Sequence, residues 1–274
     1  MARLLRYSAV VLGVIALSGC SIFSGKPALP RHAAIETRDA PSAGTDYVAL
    51  VANAEVVYFP AERAAFGGRS EPSARLLDAF RQNGAPFAIG WDLLDASQQP
   101  LLDELQASTG NAREEVIRRL EMVGNGRARE HCRAVLRDER LVGLRHVALG
   151  CLPVFLAKLE TRERLTLEEE KQLPRGYTTP PGALEAYNEN SAPREAPARS
   201  YRGQVVAQQF AAEQIVRHLR AAGMQSKLLV FLRASDLEAG LGVPRYVAQK
   251  LPVRQLVLDS SGTAPTRAKL LTDL

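Results

Sequence analysis

Apolar runs of strand length alternate with amphipathic helical segments along this chain of 274 residues. The run 55–59 precedes a helical pattern that Ser70 is placed to cap. The run 86–90 precedes a second helix, for which Asp95 is the candidate cap. Further runs of strand type lie at 145–150, 227–232 and 255–258. Such alternation is typical of parallel strands joined by helical crossovers, so we predict an α/β fold with a mainly parallel sheet flanked by helices.

Residues from about 98 to 141 interrupt this alternation. Apolar side chains recur there at helical spacing in three successive segments. We predict that these segments form a helical insertion subdomain within a single domain over 45–274. A proline-rich loop at 174–202 then precedes the strongest helical pattern of the chain, at 204–222.

The N-terminus has the pattern of a secretory signal. Arg3 and Arg6 precede the apolar stretch 9–17, which is too short to span a bilayer as an ordinary helix. Leu17-Ser18-Gly19-Cys20 follows and resembles the lipobox of bacterial lipoproteins. In such proteins the signal is cleaved before the cysteine, which then carries diacylglycerol and an amide-linked acyl chain such as palmitate.

The lipobox predicts where the mature protein resides. Residues 1–19 would be the signal peptide, Cys20 the lipidated first residue, and 20–44 a tether rich in proline and glycine. The residue after the cysteine is Ser21 and not an aspartate, which resembles the pattern of lipoproteins that are sorted to the outer membrane. We expect a cell-envelope protein held by the lipid on Cys20, at the periplasmic face of the outer membrane.

Charge and cysteine content narrow the choice of partners. The formal charge of +5 falls to +3 when Arg3 and Arg6 leave with the signal peptide. Basic residues are interleaved with acidic ones, as on solvated helix faces, so nucleic acid is not an expected partner. Cys132 and Cys151 remain in an oxidising compartment, where the sequence is equally compatible with a disulfide and with two buried thiols.

Polar residues that follow the predicted strands define a candidate pocket. In an open parallel sheet, ligands bind outside the carboxyl ends of the strands. The charged residues at these positions are Glu62, Arg63, Asp92, Arg233 and Asp236.

Several segments carry a family resemblance when taken in order. They are 58–63, 88–92 with 98–103, 147–153, and 230–232 with 240–244. Together with the lipobox, they resemble the ChaN-like haem-binding lipoproteins, which belong with the Tiki proteins and erythromycin esterases to a wider α/β group with a helical subdomain. The resemblance covers about residues 45–258. It implies a role in haem and iron uptake, with haem or a haem-receptor system as partner, and leaves a homodimer open.

The candidate pocket departs from the pattern of that family. Arg63 and Asp236 stand where the family has histidines, and Asp92 replaces its usual glutamate. An imidazole binds metal through a ring nitrogen, whereas a guanidinium has no lone pair to offer. We therefore expect no bound transition metal, with Arg63 neutralising Asp92 and Asp236 instead.

Tyrosines are the candidate ligands for haem iron, because phenolate oxygen can ligate ferric haem. Tyr177, Tyr187 and Tyr201 lie in the long proline-rich loop, which has the length to close over a flat apolar ligand. His146 and His218 are expected to be solvated.

Three functions remain open on the sequence alone. The resemblance implies a haem-binding module that is not an enzyme. A degenerate scaffold that binds another envelope protein is the first alternative. A hydrolase related to the erythromycin esterases is the second, and it would use Glu62, Asp92 and Asp236 as acid or base groups.

Overall fold

The computed structural model describes residues 35–39, 46–61, 72–123, 136–179, 184, 187–188, 200–223, 226–237 and 242–259. All of them lie in the structural unit formed by residues 31–274. Within the described ranges, six parallel strands and eight α-helices form one α/β domain, which confirms the predicted fold class.

The strands and helices alternate along most of the chain. The strands are β1 (Ile35–Asp39), β2 (Val56–Pro60), β3 (Phe87–Asp95), β4 (Arg145–Gly150), β5 (Lys227–Leu232) and β6 (Gln255–Asp259). The helices are α1 (Tyr47–Ala52), α2 (Pro72–Asn83), α3 (Gln99–Ala107), α4 (Gly110–Val123), α5 (Pro153–Thr161), α6 (Leu167–Gln172), α7 (Tyr201–Ala222) and α8 (Val243–Lys250). The sheet order is β1-β6-β2-β5-β3-β4, so β2 and β5 lie at its centre.

Helices cover both faces of the sheet. Val57 and Phe59 of β2 join a hydrophobic cluster with α1, α2, α3 and α4, whereas Val56 and Tyr58 join a second cluster with α7 and α8. Successive side chains of a strand point to opposite faces, so neighbouring residues of β2 serve different layers. Burial on both faces explains why the strands are continuous apolar runs rather than alternating ones.

Part of the predicted tether is a strand. Residues 35–39 lie within the range 20–44, yet they form β1 and pair in parallel with β6. The tether prediction is wrong for these five residues. The prolines and glycines around them dominated the composition, and so short a segment carries too little apolar periodicity to indicate a strand.

The predicted insertion contains α3 and α4. Both lie between β3 and β4, and they bury Leu102, Leu105, Ile117 and Leu120 in the same cluster as α1 and α2. Residues 124–135, which include Cys132, lie outside the described residues. None of the helices in the described ranges combines the length and apolarity that crossing a bilayer requires.

β3 is longer than the run 86–90 that predicted it. It continues through Trp91 and Asp92, and its register against β4 shifts between Trp91 and Asp95. Gly150 at the end of β4 permits this irregularity, because a Cβ there would lie 2.7 Å from the carbonyl oxygen of Asp92. The close approach of the two backbones holds Asp92 at the carboxyl edge of the sheet.

Candidate functional site

The neighbouring carboxyl ends of β3 and β5 bring Asp92, Arg233 and Asp236 together. Arg233 directly follows β5, and its Nε donates to Oδ2 of Asp92 at 2.8 Å. A single turn of 3-10 helix over Ala234–Asp236 brings Asp236 back towards the same guanidinium, with Nη2 of Arg233 3.3 Å from Oδ2 of Asp236. We call Asp92, Arg233 and Asp236 the ion triad.

The ion triad is largely removed from water. The side chains of Asp92 and Asp236 are 6% and 5% exposed, and that of Arg233 is 29% exposed. Buried carboxylates of this kind persist only when a cation or hydrogen-bond donors compensate their charge. Arg233 supplies that cation to both of them.

Helix α7 supports the turn that carries Asp236. Nε2 of Gln208 donates to Oδ1 of Asp236 at 3.0 Å, and Nε2 of Gln204 donates to the carbonyl of Ser235 at 3.4 Å. On the other side lies Gly242, where a Cβ would overlap the carbonyl oxygen of Asp236. The position of Asp236 is therefore fixed by α7 and by the backbone that leads into α8.

Arg233 lies between the two carboxylates, at the place where the sequence predicted Arg63. Glu62 and Arg63 lie outside the described residues, so their part in the pocket remains a prediction. The spacing of Arg233 and Asp236, three residues apart after a strand, was the signal that would have identified this pair.

Sequence reasoning also missed Gln208. This residue is buried in α7 and shares a helix face with Ala211, Ala212 and Ile215, which belong to the second hydrophobic cluster. A glutamine on an apolar helix stripe indicates a buried hydrogen-bond partner, because an unpaired amide is costly there. That signal was present in the sequence and pointed to a polar site under α7.

The arrangement is a closed ion pair network rather than an open ligand set. N–H donors of Arg233 and Gln208 occupy carboxylate lone pairs that would otherwise bind a metal or a substrate proton. In the described ranges, no group of three or more His, Cys, Asp or Glu side chains is placed to hold a metal ion.

Trp91, which directly precedes Asp92 in β3, contacts a buried histidine. Its ring stacks on Phe231 with centroids 4.7 Å apart, and its indole Nε1 donates to Nδ1 of His146 at 2.9 Å. Burial and, to a lesser extent, the nearby positive charge of Arg113 lower the pKa of His146 to about 4. The imidazole is therefore neutral, as an acceptor for the indole must be.

The two histidines in the described domain are buried, and the prediction that they are solvated is wrong. His146 is 1% exposed and His218 is 7% exposed. Burial also lowers the pKa of His218 to about 4. The local sequence did not indicate that these two histidines are buried, because the side chains that cover them come from distant segments of the chain.

The structure separates the three candidate tyrosines into two groups. The hydroxyl of Tyr177 donates to Oε2 of Glu213 at 2.8 Å, and its ring packs edge-on against Tyr246. Burial and the Glu213 carboxylate both raise the pKa of Tyr177, which disfavours the phenolate that ferric iron binds. Tyr187 and Tyr201 instead pack against each other, with ring centroids 5.4 Å apart.

Cys151 is buried in a third hydrophobic cluster, which includes Phe155 of α5 and Phe210 of α7. Its predicted partner, Cys132, lies outside the described residues, so the disulfide remains a prediction.

Comparisons with known proteins leave the chain without a family assignment. No family model matches it, and no curated protein is significantly similar to it. One solved structure is similar, described as cofacial heme binding to ChaN of Campylobacter jejuni. The match has 10% sequence identity and a TM-score of 0.49, and it covers 77% of this chain and 83% of that one. Similarity of this degree does not assign the chain to that family.

We predict that acid destabilises the domain through its buried histidines. The pKa of His146 is about 4 in the folded state and about 6.5 in the unfolded state, so only the unfolded state takes up the proton between these values. The free energy of unfolding should therefore fall as pH decreases from 6.5 to 4, by up to about 3 kcal/mol for this residue. Urea unfolding at a series of pH values measures it.

His146→Asn is the matched variant for this prediction. The Oδ1 atom of asparagine takes the place of Nδ1 as acceptor for the Trp91 indole, and the amide does not titrate. The unfolding free energy of the variant should depend less steeply on pH between 6.5 and 4 than that of the unmodified protein. Identical slopes would show that His146 is not the titrating group.

Proposed function

We propose that this chain is a lipid-anchored protein of the bacterial envelope that binds haem and has no hydrolytic activity at the carboxyl edge of its sheet. The single observation that carries the non-catalytic part is the contact of Arg233 with both Asp92 and Asp236. The anchor rests on the lipobox, and haem rests on the motif resemblance together with the tyrosine geometry.

The ion triad argues against the hydrolase alternative. A general acid or base must exchange a proton with the substrate, and paired carboxylates do this when their environments give them different proton affinities. Asp92 and Asp236 instead share one guanidinium, and Asp236 also accepts from Gln208. A substrate would have to displace these donors before either carboxylate reached a reacting atom.

Tyr187 and Tyr201, which we call the tyrosine pair, are better candidates for the haem ligand than Tyr177. Tyr187 and Tyr201 are half-buried. The hydroxyl of Tyr177 donates to Glu213, and burial together with this carboxylate raises the pKa of that phenol and so disfavours the phenolate that binds iron. We assign the iron ligand to Tyr187 or Tyr201. Haem would supply an iron centre and a large apolar surface, and the chain would supply one phenolate oxygen and apolar cover.

We predict that Cys20→Ala releases the protein from membranes or leaves an uncleaved precursor. The substitution removes the thiol that accepts the lipid, and without several acyl chains the domain has no stable attachment. Cell fractionation and mass spectrometry of the N-terminal peptide measure the outcome. A mature chain that begins elsewhere and carries no lipid would contradict the proposal.

We predict saturable hemin binding by the unit 31–274, with a high-spin spectrum and a charge-transfer band in the visible. This unit contains every described strand and helix, so we expect it to fold without residues 1–30. One of the two single variants, Tyr187→Phe or Tyr201→Phe, should lose the band, because only one of these tyrosines supplies the oxygen that binds iron. An absorption titration with hemin measures this.

Tyr177→Phe is the matched control for the titration. It removes a hydroxyl that contacts Glu213, so it should leave the hemin spectrum unchanged. Loss of the band in this variant alone would move the ligand to Tyr177 and refute the assignment. The absence of any saturable Soret change would refute haem binding and favour the envelope scaffold.

A further inference from the structure

A cavity lined by basic side chains is a second candidate site. A cavity of about 580 Å³ opens between α5, α6 and the first turn of α7. Four arginines line it, namely Arg162, Arg164, Arg175 and Arg202. We call this cavity the arginine cleft.

The arginine cleft has an excess of positive charge. Glu163 and Glu170 also line it, which leaves two of the four positive charges unbalanced. In the described part of the chain, no ion pair joins any of the four arginines to a carboxylate. Exposed guanidinium groups converging on one cavity favour an anion, because each can donate two N–H groups to a carboxylate or phosphate.

The carboxylates of α6 are partly committed to lysines. Glu169 accepts from Lys158 at 2.5 Å, and Glu168 accepts from Lys171 at 2.7 Å. Two of the three consecutive glutamates of α6 therefore contact lysines outside the cleft lining. Because these lysines neutralise Glu168 and Glu169, the two glutamates do not cancel the positive charge of the arginines in the cleft.

The base of the cleft is apolar. Leu159, Leu165 and Leu173 line it, and all three belong to or pack against the hydrophobic cluster of Phe155 and Phe210. Leu165 and Leu173 are only half-buried, so their apolar surface faces the cavity. An occupant that covered them would gain hydrophobic free energy in addition to its charge contacts.

Arg162 occupies a backbone conformation that arginine disfavours. It is the C-cap of α5 with φ 58° and ψ 25°, in the left-handed region. Every other described residue with positive φ is a glycine. Glycine would fit this cap without strain, so the arginine side chain is held over the cavity at a conformational cost to the fold.

We propose that the arginine cleft binds an anionic amphiphile, a small molecule with a carboxylate or phosphate head and an apolar body. The head lies among the four arginines and the body covers the three leucines. This proposal rests on the arginines and leucines that line the cleft and not on haem binding, although Arg202 directly follows Tyr201 in α7. A free fatty acid and a lipid headgroup share this chemistry, and the cleft volume commits the proposal to a single amphiphile rather than to a membrane surface.

Titration calorimetry of the unit 31–274 with laurate below its micellar concentration tests the proposal. Binding should be saturable at one site, and dodecanol, which has the same chain without the charge, should bind at least about tenfold more weakly. Arg162→Gly and Arg202→Gln should each weaken laurate binding about tenfold, because each removes a charge-assisted contact. Arg217→Gln, an exposed arginine on α7 outside the cleft, should bind laurate normally.

Arg162→Gly separates binding from folding. The variant should unfold at the same temperature as the unmodified protein or at a higher one, since glycine relieves the left-handed cap. Loss of laurate affinity with retained thermal stability would support the proposal. Equal laurate binding by the cleft variants would overturn it, as would equal affinity for dodecanol or binding to phosphatidylglycerol vesicles without binding to laurate.

Discussion

The guanidinium of Arg233 lies between two carboxylates that are almost completely buried, and the carboxyl edge of the sheet is organised around it. Asp92 of β3 and Asp236 of the turn after β5 meet at this cation, and Gln208 of α7 donates to Asp236. Removing a partner from such a network leaves uncompensated charge in a poorly hydrated place. The same contacts that hold these segments together prevent the carboxylates from acting as open ligands.

The sequence predicted the layers of the fold more completely than the contacts within its pocket. Continuous apolar runs such as 227–232 predicted the parallel sheet, since burial on both faces leaves a local pattern. The contact of Arg233 with Asp92 left no such pattern, because it depends on which side chain reaches across from β5 to β3. β1 was missed for a related reason, since its pairing with β6 joins residues that are more than two hundred positions apart.

Two groups of arginines have different surroundings in this domain. Arg233 is paired with buried carboxylates, whereas the arginines of the cleft are exposed around an apolar base. Helix α7 contributes to both places, through Gln204 and Gln208 at the ion triad and through Arg202 at the cleft. One domain therefore contains both a closed ion pair network and an open basic cleft.

The central claim is that Arg233 compensates the buried carboxylates, and a double-mutant cycle of Arg233→Met and Asp92→Asn tests it most directly. Urea unfolding can be followed by the fluorescence of Trp91, the one tryptophan of the sequence. The double variant should lose about 1–3 kcal/mol less stability than the sum of the single variants. The exposed pair Arg118–Glu115 provides a control cycle, with an expected coupling of at most about 0.5 kcal/mol. Additive effects at Arg233 and Asp92 would contradict the account.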